Sequence, residues 1–305
     1  MTMPDHRLAG VHAAAITPLT PEGQPDLKTL PALLDGLQAR GCHGALLLGT
    51  TGEGPSFSSA ERAAIMRAAA DWGNSHPDFT LMAGTGTPSL TESIELNTLA
   101  FELGFDAVVT LPPYFLRNAG DAGLLDWFTA VIEASVPEGR HMLGYHIPQV
   151  AGVGLSGELL ARLRSAFPLR FAGIKDSTGR YEHAQTLLGA IDADFVLLAG
   201  NDSLLAAELA IGASGCITAM ANVFSREARA VYDAFIAGEE TAPLQSRLSA
   251  LREIMDSAAP LPASIKALLP EFHGLPVGTV RAPLRMLDAA LIAEKKAALE
   301  SVLAG

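Results

Sequence analysis

The chain has 305 residues, 49% of them apolar, and a formal net charge of −12; that is enough to bury one large α/β core or two small ones. The acidic balance and the lack of any basic run argue against nucleic acid as the main partner, and no apolar run approaches the ~20 residues of a membrane span. The opening stretch MTMPDHRLAG has no secretory hydrophobic region, so a cytoplasmic protein is expected.

Short apolar runs alternate along the chain with longer amphipathic stretches. The runs predict strands at 11–16, 43–49, 79–84, 106–111, 141–147, 170–175, 195–199 and 214–219. Helices are predicted near 27–40, 58–73, 89–103, 121–135, 156–166, 180–191, 203–211 and 225–237. Ser58 with Glu61 three residues on reads as a capping box, and Ser89 and Ser156 read as further N-caps. Eight strands, each followed by a helix, predict a (β/α)8 TIM barrel over 1–238. A doubly wound open sheet is the runner-up, without a GxGxxG after its first strand to support it. Residues 239–305 carry no strand-like run. They read as a C-terminal helical extension of two or three helices packed on the barrel, with LPEFHGLPVGTVRAPL as a connector.

In such barrels chemistry gathers at the C-terminal ends of the strands. The sixth predicted strand ends in Lys175, a residue type seldom buried. The chain holds five lysines against sixteen arginines, and Lys175 is the only one between Lys28 and Lys266. Burial disfavours an ammonium and frees the amine as a nucleophile for carbonyl carbon. If Lys175 points into the barrel mouth, alternation turns Asp176 away from it. The competing reading is a lysine paired with a carboxylate at the strand end.

Tyr145 ends the neighbouring strand, where a phenol could exchange protons with an imine; a core tyrosine is the alternative. GTTGEGPSFS follows strand two. Its glycines, Gly49 and Gly52 among them, allow close backbone approach, and Thr50 and Thr51 add hydroxyls, a setting for a carboxylate or a phosphate. A tight turn without ligand explains the same composition. Asp202 in GND could hold a substrate hydroxyl or cap a helix. Glu53 is expected to brace its own loop, and His146 to face the core or a helix. Cys42 and Cys216 read as buried hydrophobes. His12, His43 and Cys42 show no metal-ligand grouping, and no metal or other cofactor is expected.

GTTGEGPSFS, YHIP and GIKDSTG, in this order and spacing, resemble the N-acetylneuraminate lyase and dihydrodipicolinate synthase superfamily of Schiff-base (class I) aldolases. The resemblance covers the whole chain. It implies a (β/α)8 barrel with C-terminal helices, assembled as a homotetramer (a dimer of dimers). It implies that Lys175 forms an imine with pyruvate or another 2-oxo acid. Tyr145 would then shuttle protons, Thr50 and Thr51 would bind the carboxylate and relay protons, and Ile217 would back the keto-acid pocket.

The departures bear on the second substrate. Dihydrodipicolinate synthases carry an arginine two residues after the proline of Y-x-x-P, where this chain has Val150. Losing that cation removes a charge-assisted hydrogen bond of about 1.5–3 kcal/mol from a substrate carboxylate. Sialic-acid lyases have a glutamate where this chain has Ser203, and a serine where it has Ala219. Many members carry a second tyrosine where this chain has Phe115, so Tyr114 from a shifted position, or water with Thr50, would have to complete the relay. The expected function is a lyase that makes or breaks a C–C bond between pyruvate and a small, possibly sugar-derived, aldehyde. A dehydratase of the 4-deoxy-5-oxoglucarate type, a dihydrodipicolinate synthase and a non-catalytic keto-acid-binding protein are the alternatives.

Overall fold

The computed structural model describes residues 7–257 and 260–305. The start of the N-terminal stretch read above for a signal lies outside the described residues. Eight strands close into a parallel barrel in chain order, each pairing with the next and the first with the last. They are β1 (Gly10–Ala14), β2 (Gly44–Leu47), β3 (Thr80–Gly84), β4 (Ala107–Thr110), β5 (His141–His146), β6 (Phe171–Asp176), β7 (Val196–Ala199) and β8 (Gly215–Thr218). The eight predicted strands overlap these eight.

The helices are α1 (Leu30–Ala39), α2 (Ser59–Gly73), α3 (Leu90–Glu102), α4 (Gly120–Ser135), α5 (Pro148–Ala151), α6 (Gly157–Ala166), α7 (Tyr181–Ala190), α8 (Leu205–Ala210), α9 (Ser225–Ala237), α10 (Ala242–Asp256), α11 (Leu261–His273) and α12 (Ala289–Ala304). The predicted caps form. Ser58 and Glu61 make a reciprocal capping box, and the Ser89 and Ser156 hydroxyls accept from the N–H groups of Glu92 and Leu159. The short α5 was not predicted. The connector also begins later than expected, because Leu269–His273 continue α11 until Gly274, at φ 66°, ends it. No helix among the described residues is long and apolar enough to cross a membrane.

Side chains sort into two apolar layers. Leu46, Met82, Val109, Leu143, Val196, Leu198 and Ile217 fill the barrel interior. Val11, Leu47, Leu81, Val108, Met142, Ile174 and Leu197 face the helices. Strands covered on both faces read as continuous apolar runs, which is why the runs rather than any alternation revealed them.

β6 breaks this alternation at the position that matters most. Met142 pairs with Phe171, but Leu143 pairs with Gly173, so Ala172 is an extra residue in β6. Ala172 and Lys175 face inward while Phe171 and Ile174 face the helices. Without the extra residue, strict alternation from Ala172 would send Ile174 inward and Lys175 outward. Gly173 makes the irregularity possible: a Cβ there would lie 1.8 Å from the Val196 carbonyl oxygen.

Candidate active site

The re-aimed Lys175 stands in register with Tyr145 of β5, at the C-terminal end of the barrel. Its side chain is almost fully buried, at 3% exposure, and Tyr145 is 4% exposed. The Lys175 Nζ lies 4.3 Å from the centroid of the tyrosine ring. The Tyr145 hydroxyl is 3.3 Å from the Thr50 Oγ1. Burial opposes ionisation of this phenol, but the Lys175 amine and the hydroxyls of Thr50 and Ser177 outweigh it and hold the tyrosine below its ordinary range. The Thr50 hydroxyl and the Lys175 amine thus both lie against the same phenol.

The amine opens onto a cavity of about 220 Å³ whose walls include Thr50, Thr51, Tyr145, Ile217 and Ala219. A smaller cavity of about 20 Å³, with Gly49 and Arg62 in its wall, shares Thr50 and Tyr145 with the larger one. The Thr50–Tyr145 pair is thus the partition between the two spaces.

The loop after β2 reaches this position through a constrained backbone. Leu48 has φ 59° and Glu53 φ 56°, both in the left-handed region that non-glycine residues rarely occupy. The Leu48 carbonyl is packed so closely that a Cβ at Gly54 would lie 1.9 Å from its oxygen. Glu53, read as a brace of its own loop, ties that loop to α11 and to the segment after it. Its Oε1 accepts from the Lys266 Nζ at 2.6 Å, and its Oε2 from the Arg281 N–H at 2.8 Å. Lys266 also donates to the Thr279 carbonyl at 2.7 Å. The Arg281 guanidinium pairs with Glu61, whose carboxyl is lowered to about 2 chiefly by that arginine.

Behind Lys175, Asp176 faces the helices. Its Oδ2 lies 2.7 Å from the His183 Nδ1, and its Oδ1 accepts from the Thr178 N–H at 2.9 Å. His146 also faces outward, stacked on His183 with ring centroids 4.5 Å apart, and its Nδ1 accepts from the Leu155 N–H at 2.8 Å. Burial lowers His146 to about 4, so it is neutral at pH 7. Ligand atoms of His146, Asp176 and His183 fall within 4.8 Å of one another, a grouping the sequence reading did not find. The short contacts engage both Asp176 oxygens and the His146 Nδ1, and the two rings stack on each other. The group is built as a hydrogen-bonded cluster rather than as a metal centre.

Three expected site residues are placed elsewhere. Asp202 does not face the cavity: it is 0% exposed and its Oδ2 binds the Arg252 Nη1 at 2.8 Å. Asn201, one residue earlier, lines the cavity and caps the following turn through its own side chain. Gly52 is not in the wall of either cavity; its carbonyl accepts from the Thr17 hydroxyl at 2.7 Å, and a Cβ would lie 2.6 Å from the Ala15 oxygen. Tyr114 is not in the wall of the Lys175 cavity and lies among Arg62, Glu92 and Leu111. Sequence reasoning missed Gln149, Ser177, Thr178, Asn201 and Arg252 in that wall. Asn201 stands at the end of β7 beside Asp202, which was singled out instead, and Gln149, Ser177 and Thr178 lie within three residues of the strand-end positions Lys175 and Pro148. No local signal marks Arg252.

A buried amine above a phenol, at the mouth of a closed parallel barrel, defines an enzyme of the Schiff-base lyase class. The chain belongs to the dihydrodipicolinate synthetase family, whose model matches residues 7–302. It is similar to an uncharacterized DapA-like lyase of Chloroflexus aurantiacus, at 38% identity over 97% of both chains. It is also similar to 4-hydroxy-tetrahydrodipicolinate synthase 1 of Streptomyces coelicolor, at 38% identity over 90% of this chain and 88% of the relative. Among solved structures, YagE of E. coli K12, determined in complex with pyruvate, superposes with a TM-score of 0.90 at 26% identity, covering 97% of this chain and 99% of that one.

Proposed function

We propose that this lyase joins or splits pyruvate and a small aldehyde through an imine at Lys175. The observation that carries the reading is the Lys175 amine held over Tyr145, with the Thr50 hydroxyl on the far side of the phenol. The amine adds to C2 of pyruvate, and the carbinolamine loses water as Tyr145 supplies the proton that the leaving hydroxyl takes. Tyr145 then removes a proton from C3, giving an enamine. The enamine carbon attacks the aldehyde carbon, the new alkoxide takes a proton back, and water hydrolyses the imine to release the 2-oxo acid product and the amine. Thr50 and Thr51, in the cavity wall, receive the pyruvate carboxylate, and Ile217 packs against its apolar side. Asp176, turned away and bound to His183, leaves the amine without a competing carboxylate.

The names of several relatives favour dihydrodipicolinate synthase as a second reading. Val150 weighs against it, since it is 61% exposed on α5 and offers no cation to a substrate carboxylate. Assembly as a homotetramer, a dimer of dimers in the cytoplasm, completes the proposal. Phe115, 79% exposed beside exposed Leu116 on the loop after β4, supports it as an apolar surface suited to a second copy.

Borohydride reduction in the presence of pyruvate tests the reading. A pyruvyl adduct on Lys175 is expected, and a folded protein that gains no mass overturns it. Product formation with aspartate semialdehyde at rates above other aldehydes would favour the second reading instead.

A further inference from the structure

One wall of the Lys175 cavity comes from outside the barrel. Arg252 on α10 lines it, together with Leu261 and Pro262 at the start of α11. Arg252 is fixed from two sides. Its Nη1 donates to the buried Asp202 at 2.8 Å, and its Nε donates to Asp256 at 2.7 Å. Nη2 has no partner among the described residues. Apart from Lys175, Arg252 is the one charged side chain among the described lining residues. The others that are polar are neutral, and two keep unused groups. Asn201 accepts from the Ser203 N–H through Oδ1 and leaves Nδ2, and Gln149 donates to the Ser177 carbonyl through Nε2 and leaves Oε1.

We propose that Arg252 is a specificity-determining residue that binds the aldehyde half of the substrate, donating from Nη2 to a hydroxyl oxygen, with Asn201 and Gln149 reading further hydroxyls along the same chain. A guanidinium already paired with two carboxylates has little net charge left for another anion, yet it keeps a rigid, directed N–H pair. The matching substrate class is therefore a short polyhydroxylated aldehyde that is uncharged at its far end, rather than an acid-ended aldehyde. This inference rests on the imine reading above.

The test measures kcat/KM in the condensation direction with pyruvate and three aldehydes: glyceraldehyde, propanal and succinic semialdehyde. Wild-type enzyme is expected to prefer glyceraldehyde to each of the others by about 10-fold or more. Because Arg252→Met alone strands the buried Asp202, the variants are Arg252→Met with Asp202→Asn, and Arg252→Lys, which keeps a cation beside Asp202 but loses the fork. In both, the preference is expected to fall to near parity, with borohydride trapping of pyruvate reporting on the imine half of the site. A wild type without the preference, or variants that trap pyruvate and keep it, overturn the role of Arg252 and leave the imine standing. Absence of trapping in the wild type overturns both.

Discussion

Lys175 and Tyr145 are paired across β6 and β5, with the lysine nitrogen 4.3 Å from the tyrosine ring centre. Replacing Lys175 by Ala removes the nucleophile. Pyruvate trapping is expected to vanish and turnover to fall by on the order of 10³-fold or more. Intact-protein mass and single-turnover assays on the folded variant check this.

Tyr145→Phe keeps the ring and removes the proton carrier, so a loss of about 10²–10⁴-fold in kcat is expected. Thr50→Val is milder. The Thr50 hydrogen bond helps hold Tyr145 below its ordinary range, so removing it raises the phenol. The limb of the kcat/KM profile that reports tyrosine ionisation should move to higher pH in Thr50→Val and disappear in Tyr145→Phe.

Gly173→Ala places a methyl 1.8 Å from the Val196 oxygen, where backbone must move. A destabilisation of at least ~1–3 kcal/mol is expected, with lower activity as Lys175 shifts. Gly189, near the end of α7, has open space around a Cβ; Ala there should stabilise by about 0.5–1 kcal/mol. Urea midpoints of the two variants should move in opposite directions.

Lys266→Met leaves Glu53 charged and buried, at an expected cost of about 3–5 kcal/mol. Adding Glu53→Gln should recover part of that loss. A double variant no more stable than the single one would show that the pair does not act as a unit.

Glu208 on α8 is buried, its Oε2 has no hydrogen-bond partner among the described residues, and its carboxyl is raised to about 8, first by burial and then by Asp176. The folded chain keeps this proton while the unfolded chain releases it above about pH 4.5. Stability is therefore lost as pH rises from 4.5 to 8. Glu208→Gln should match wild type at pH 4.5 and exceed it by up to a few kcal/mol at pH 8. Denaturation series at the two pH values check the sign.

The strands and barrel helices were legible because each strand is buried on both faces and many of the helices have Ser, Gly or Pro at an end. Lys175 stood out for a related reason: a lysine ending an apolar run conflicts with its environment unless chemistry requires it. The extra residue at Ala172 was not legible, since no pattern within a single strand reveals its register against β5. Asp202 was misread because it shares a strand end with Asn201, and only the position of α10 decides which of the two turns toward the cavity. Arg252 was invisible for the same reason: it reaches the site through tertiary packing alone.

The ties from Glu53 to Lys266 and Arg281 also bear on synthesis at the ribosome. When the last barrel strand emerges, the loop carrying Thr50 and Thr51 still lacks both of its anchors. A nascent chain that already holds all eight strands is expected to remain inactive until translation has delivered α11 and the segment after it. Catalytic competence should therefore lag behind synthesis of the last strand, and a stalled chain ending before Lys266 should fail to capture pyruvate.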